Sequence, residues 1–262
     1  MKKLLAVLLL GILAPMSFAQ VVVLNYMKVA PGGNENYVSV ETQWKQVHQN
    51  LVNEGKMIGW ELFYVHNTGT ESPYNFVTAN IFRDLPSALS SLTMDDFRKV
   101  WGNKTEDILR KTNEARDLKH SETIALAFGI PTKPNIKYML VSFMKADDAD
   151  AYFNMERTAY MPMHKMAIDN DQMVGWSVWN RMLRDDDLYD AITVNDYSSA
   201  EQLAATNYQK WFDQAFADKS DAEKSDLEAM VRNSGKYRRI VKSQLWELIE
   251  MTDPGPEANA EP

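Results

Sequence analysis

His48 is followed eleven residues later by Gly59-Trp60, and His164 is followed eleven residues later by Gly175-Trp176. The two sets stand 116 residues apart, and at that offset Thr42 meets Thr158, Trp44 meets Tyr160, and Met57-Ile58 meets Met173-Val174. At 115, Tyr74, Thr78, Asn80 and Phe82 meet Tyr189, Thr193, Asn195 and Tyr197; at 117, Tyr26-Met27-Lys28 meets Phe143-Met144-Lys145. An offset that drifts by one residue across loops is what a diverged tandem duplication leaves behind. The expectation is two like halves in one chain.

Each half carries the same succession of patterns. Residues 21–29 and 136–145 are apolar runs rich in β-branched side chains, which predict a first strand. Tyr37, Val40, Trp44, Val47 and Leu51 recur at three and four residues and predict one face of a helix; Phe153, Tyr160, Met163 and Ala167 hold the corresponding places. Gly55 and Asp169-Asn170-Asp171 stop these helices. Residues 57–66 with 74–82, and 173–181 with 189–197, alternate as paired strands. Amphipathic helical segments follow Pro86 and Ser199, broken near Gly102 and Ser220, before closing strands at 122–128 and 238–249. The order β-α-β-β-α-β, twice, is that of a ferredoxin-like unit. One such unit leaves a sheet face bare, so the two would cover each other. The predicted class is α+β: two tandem ferredoxin-like units, 20–130 and 136–251, forming a pseudo-dimeric α/β barrel.

The segments 57–62 and 74–82, with their second-half equivalents, resemble the dimeric α/β-barrel superfamily. That superfamily includes antibiotic-biosynthesis-type and haem-degrading monooxygenases, NIPSNAP-like proteins and EthD-like proteins. The resemblance implies a cleft in each half and admits monooxygenase-like oxidation, with haem as one cofactor that its members use. Fold alone does not assign chemistry.

The candidate residues fall at equivalent places. His48 and His164 could serve as proton acceptor or haem ligand through a neutral imidazole nitrogen, or simply pack at the helix–sheet seam. Alternation puts Tyr74, Thr78 and Asn80, and likewise Tyr189, Thr193 and Asn195, on one strand face. Mixed aromatic, hydroxyl and amide groups there suit a ligand pocket or an interface between the halves. Trp60 and Trp176 would form walls or core. Met161-Pro162-Met163-His164 has soft ligands for copper, but residues 45–50 of the first half hold no methionine, which disfavours it. The acidic runs around Asp147 and Asp185–Asp187 lack calcium-loop spacing and read as solvated turns. No metal site is expected.

Lys2-Lys3, an apolar stretch over 4–13 and Ser17-Phe18-Ala19 have the pattern of a signal peptide over 1–19, cleaved after Ala19. The stretch is too short to span a bilayer, and residues 252–262 read as a solvated, disordered tail. The absence of cysteine excludes thiolate metal sites and a cysteine nucleophile. A net charge of −8 argues against nucleic acid. The function expected is therefore that of an exported protein, periplasmic or secreted, that binds a small apolar or planar molecule and can oxidise it. The alternative is a non-enzymatic module of the cell envelope, which predicts filled clefts and satisfied histidines.

Overall fold

The computed structural model describes residues 20–90, 92–183 and 186–254. The leader assigned to 1–19 and the last eight residues lie outside them. The first half runs β1 (Val21–Lys28), α1 (Asn34–Asn53), β2 (Gly59–Val65), β3 (Phe76–Phe82), α2 (Leu85–Leu89), α3 (Met94–Trp101), α4 (Thr105–Ala115) and β4 (Asp117–Ile130). The second runs β5 (Tyr138–Lys145), α5 (Ala149–Met155), a π-helical turn (Glu156–Tyr160), α6 (Met161–Asp169), β6 (Gly175–Leu183), β7 (Ala191–Tyr197), α7 (Ala200–Ala204), α8 (Tyr208–Ala215), α9 (Asp221–Arg232) and β8 (Arg239–Met251). Among the described residues no helix is long and apolar enough to cross a membrane.

The strands close into one antiparallel barrel in the order β1-β3-β2-β8-β5-β7-β6-β4. Closure depends on the two long strands. β4 pairs with β1 over Asp117–Ala125 and with β6 over Thr123–Ile130. β8 pairs with β5 over Arg239–Glu247 and with β2 over Trp246–Met251. Each closing strand thus leaves its own half and completes the sheet of the other. β4 exceeds the predicted 122–128 because its added residues include polar ones, such as Lys119 and Ser121, and because bulges break its period-two alternation, whereas β8 lies within two residues of the predicted 238–249 at each end.

Alternation sorts the side chains. Val22, Leu24, Phe63, Val77, Ala79, Val141, Ile192 and Val194 fill the barrel interior, while the opposite faces meet the helices. α1 buries Tyr37, Val40, Val47 and Leu51 against the outer sheet, as its spacing predicts, and Glu41 and His48 with them. Gly55 and Asp171, both at positive φ, end the two long helical stretches. The helical insertions break at Gly102 and at the Ser220 N-cap, and also at the Thr93 and Asn207 caps, which periodicity missed.

Three expectations need correction. Tyr74 precedes β3, so strand parity does not govern it; its ring lies in the barrel interior with Tyr26, and Tyr189 lies there too. Thr252 is not part of a solvated tail: its hydroxyl accepts the Trp60 amide at 2.9 Å and it is buried. Asp186 is more than a turn residue, since it accepts from Arg181 at 2.6 Å.

One end of the barrel is plugged by a polar cluster. Glu122 on β4 accepts from Arg181 Nε on β6 at 2.8 Å and from the hydroxyls of Tyr26 and Tyr189. Both ion-pair side chains are 1% exposed. Removing one member would strand the other in apolar surroundings. Arg181→Ala is expected to lower unfolding free energy by about 3–5 kcal/mol in urea titrations. The Glu122→Gln/Arg181→Met pair should lose less than Arg181→Ala alone; equal losses would mean that the pair does not act as a unit.

Candidate functional site

The outer sheet faces and the helices covering them enclose one cavity in each half, of about 690 Å³ and 570 Å³. His48, Trp60, Thr78 and Asn80 all line the first; His164, Trp176, Thr193 and Asn195 all line the second. Tyr74 and Tyr189 line neither of these cavities, being on the other side of the sheet. The helix, the second strand and the third strand each contribute from the same face, so the fold brings eight of the ten candidate side chains into two like pockets.

Each imidazole lies parallel to a tryptophan. His48 stacks on Trp60 at 5.3 Å between centroids, and His164 on Trp176 at 4.9 Å. Burial holds both histidines neutral, pulling each down to about 3 from an ordinary 6.5. His164 Nδ1–H donates to the Tyr160 carbonyl at 2.8 Å, which leaves Nε2 as the lone-pair nitrogen. That atom has no hydrogen-bond partner and is sealed from solvent, as is Nδ1 of His48. The strand amides differ more. Asn80 donates to the Val23 carbonyl at 3.3 Å, whereas Asn195 donates to the Tyr208 hydroxyl at 3.0 Å.

The pockets also share residues that the sequence reading passed over. Glu41 lies seven residues before His48, and Glu156 eight before His164; Tyr37 and Tyr152 lie four residues before each glutamate. The π-helical turn over Glu156–Tyr160 takes up the extra residue, so the offset between equivalent positions grows from 115 at the glutamates to 116 at the histidines. An arginine placed just before each closing strand reaches each glutamate: Arg116 to Glu41 at 3.9 Å, Arg238 to Glu156 at 3.2 Å. Desolvation raises both carboxyls to about 7, against the opposing pull of the arginines. The signal that could have found them was Tyr-x-x-x-Glu at an offset of 115, one less than the offset of the histidines.

This arrangement assigns acid–base competence differently from expectation. A proton acceptor works best with a pKa near the ambient pH. A histidine at about 3 is a weak base in neutral solution, whereas a glutamate at about 7 is matched to it. Among the described residues, no group of three or more His, Asp or Glu is placed to hold a metal ion. Met144 and Met163 line the second pocket and Met27 and Met57 the first, so methionine does not set the second pocket apart.

No protein-family model matches the chain, and no curated relative matches it by sequence. Solved structures are similar in fold. A protein of Lactobacillus acidophilus provisionally named a monooxygenase has a TM-score of 0.50 at 11% identity, over 90% of this chain and 97% of that one. One from Fusobacterium nucleatum, named likewise, has a TM-score of 0.50 at 10% identity, over 92% and 97%. A haem-binding protein from Thermus thermophilus reaches 0.49 at 12% identity, over 88% and 91%. At these identities the likeness is one of fold, an α+β barrel.

The buried groups tie stability to pH. A glutamate raised from 4.5 to about 7 stabilises the fold fully below 4.5, and that contribution is lost as pH rises through 7. A histidine lowered from 6.5 to about 3 contributes fully above 6.5 and is lost as pH falls toward 3. The full chain is therefore expected to lose stability between about pH 6 and 8 in urea titrations. Glu41→Gln/Glu156→Gln should lose less across that window; an unchanged slope would mean that both carboxyls are already ionised in the fold.

Proposed function

We propose that each half binds a small, planar, largely apolar molecule bearing an acidic hydroxyl, in the outer cavity between its long helix and the sheet. The observation that carries this reading is the buried Glu–Arg–His set repeated in both cavities. Glu41 and Glu156 are the proton acceptors, Arg116 and Arg238 hold the resulting anion, and Trp60 and Trp176 form the walls with Thr78 and Thr193 beside them. His48 and His164 act as neutral packing and hydrogen-bonding partners. The open cavities and the unpartnered imidazole nitrogens favour this over an envelope module, which would have filled clefts and satisfied histidines.

The accompanying chemistry is monooxygenase-like oxidation of the bound anion, as in the provisional names of two neighbours in fold. A histidine-ligated haem needs an imidazole nitrogen with an open lone pair. In the second pocket Nδ1 of His164 is committed to Tyr160 and Nε2 is sealed, so haem does not fit there as arranged. Nδ1 of His48 is sealed too, which leaves Nε2 of His48 as the imidazole nitrogen that could meet a haem, in the first pocket; no step is routed through haem. We infer further that the halves descend from one duplicated ferredoxin-like unit, supported by the matching orders β4-β1-β3-β2 and β8-β5-β7-β6. The leader over 1–19 supports export to the periplasm or beyond, which the mass of the secreted chain would test.

2-Naphthol titrated into the full chain is expected to quench tryptophan fluorescence at two saturable sites. Thr78→Trp should block one and Thr193→Trp the other, each filling its cavity from the strand wall. Absence of saturable quenching in the unmodified chain would overturn the binding reading. A dihydroxynaphthalene should then draw oxygen in an electrode assay, and Glu41→Gln/Glu156→Gln should slow uptake by about 10²-fold or more. Haemin titration is expected to leave the second pocket empty, so any shifted Soret band should be lost in His48→Ala and kept in His164→Ala; a band lost in His164→Ala would restore haem to the second pocket.

A further inference from the structure

A third cavity, of about 330 Å³, lies inside the barrel at the end opposite the Glu122–Arg181 plug. Its wall is apolar and aromatic, with Phe63, Trp179 and Trp246 among the interior-facing side chains. The indole N–H groups are already used, Trp179 donating to Ser177 at 2.8 Å and Trp246 to Gln244 at 3.2 Å. What these rings have left to offer an occupant is their faces.

Two carboxylates, Glu61 on β2 and Asp196 on β7, line the same cavity. The lining includes no lysine, arginine or histidine, and neither acid takes part in an ion pair among the described residues. Asp196 is 1% exposed; Oδ2 accepts from the Thr132 hydroxyl, while Oδ1 has no hydrogen-bond partner. Gly175 leaves the room Asp196 needs, since a Cβ there would meet Oδ2 at 2.6 Å. Glu61 keeps partial exposure, which places it nearer the mouth. Desolvation raises Glu61 to about 7, with a further push from Asp196, and raises Asp196 to about 6. These acids lack the counter-charge that every other buried acid described above possesses.

We propose that the barrel interior binds a small organic cation, an ammonium group on an apolar body, with Glu61 and Asp196 as its counter-charges and the rings of Phe63, Trp179 and Trp246 around it. Three observations support the class. A buried carboxylate oxygen without a partner needs a donor. Aromatic faces attract ammonium groups. An apolar wall of this size, at the lower edge of the usual ~300–1,000 Å³ for ligand pockets, suits the body of a small amine. Calcium and magnesium fit poorly, because they take six or more oxygen ligands and the wall is mostly carbon; zinc fits poorly because the lining holds neither histidine nor cysteine. This site is separate from the outer cavities and does not depend on what they bind.

The probe is phenethylammonium, titrated into the full chain and followed by calorimetry and tryptophan fluorescence, with 2-phenylethanol as its neutral counterpart. Saturable binding of the amine, and none of the alcohol at the same concentrations, is the expected result. Glu61→Gln and Asp196→Asn should each weaken binding by about tenfold or more, while Thr78→Trp, which fills an outer cavity, should leave it unchanged. Both carboxyl-to-amide changes remove a buried charge with no cationic partner, so the variants are expected to fold, as circular dichroism would check. Equal binding of amine and alcohol would overturn the proposal, as would amine binding indifferent to both substitutions.

Discussion

The sheet closes because β4 and β8 are each long enough to pair in both halves. Asp117–Ala125 belongs to the first half by its hydrogen bonds to β1, and Thr123–Ile130 to the second by its bonds to β6. A four-stranded sheet ending at β4 or at β8 would expose an unpaired edge and an apolar face; the barrel removes both at once. It also fixes what each side of the sheet can do. Interior positions are committed to one shared core, and outer positions to two separate helix–sheet seams. Function has room where the helices do not fill those seams, and at the barrel end that no plug occupies.

Placement at the seam explains the electrostatics of the outer cavities. Helix α1 needs one apolar stripe against the sheet, and Glu41 and His48 fall within it because they share that stripe with Tyr37, Leu51 and Val52. Burial penalises the charged form of both side chains in opposite directions, lowering the histidine and raising the glutamate. The arginine at the entrance to each closing strand pulls the carboxyl back only partway. A carboxyl suspended near neutrality between desolvation and a guanidinium is suited to exchange a proton with a bound molecule. The same balance is struck in the second half by Glu156 and Arg238, through a helix that needs a π-turn to bring its residues into place.

Much of this was legible in the sequence, and the gaps have physical causes. Thr78 with Asn80, and Thr193 with Asn195, could be placed on one face because period-two alternation holds inside a strand. The histidines could be placed beside them because His-x₁₀-Gly-Trp is spaced alike in both halves. Tyr74 and Tyr189 were misplaced because each precedes its strand by two residues, where alternation no longer binds. Glu41 and Glu156 are easy to pass over because a lone glutamate in a helix reads as solvated; the repeated Tyr-x-x-x-Glu marks them, but the arginine that pairs with each arrives from far along the chain. The barrel-interior acids were hidden for the same reason, since Glu61 and Asp196 are distant in sequence and meet only on closure.

The two ends of the barrel make the contrast between these acids informative. At one end Glu122 is matched by Arg181 and two tyrosine hydroxyls, so a buried charge is compensated within the fold. At the other, Glu61 and Asp196 face an apolar, aromatic cavity whose lining holds no cationic side chain, with the Thr132 hydroxyl bonded to Asp196. An unpaired buried charge carries a desolvation cost that an apolar group of similar size would not. Stability therefore gives no account of these two side chains, whereas the charge of Glu122 is compensated inside the fold. A cationic occupant supplies the missing account: it would convert the acids from a cost of folding into the polar half of a binding site whose apolar half the barrel core already provides.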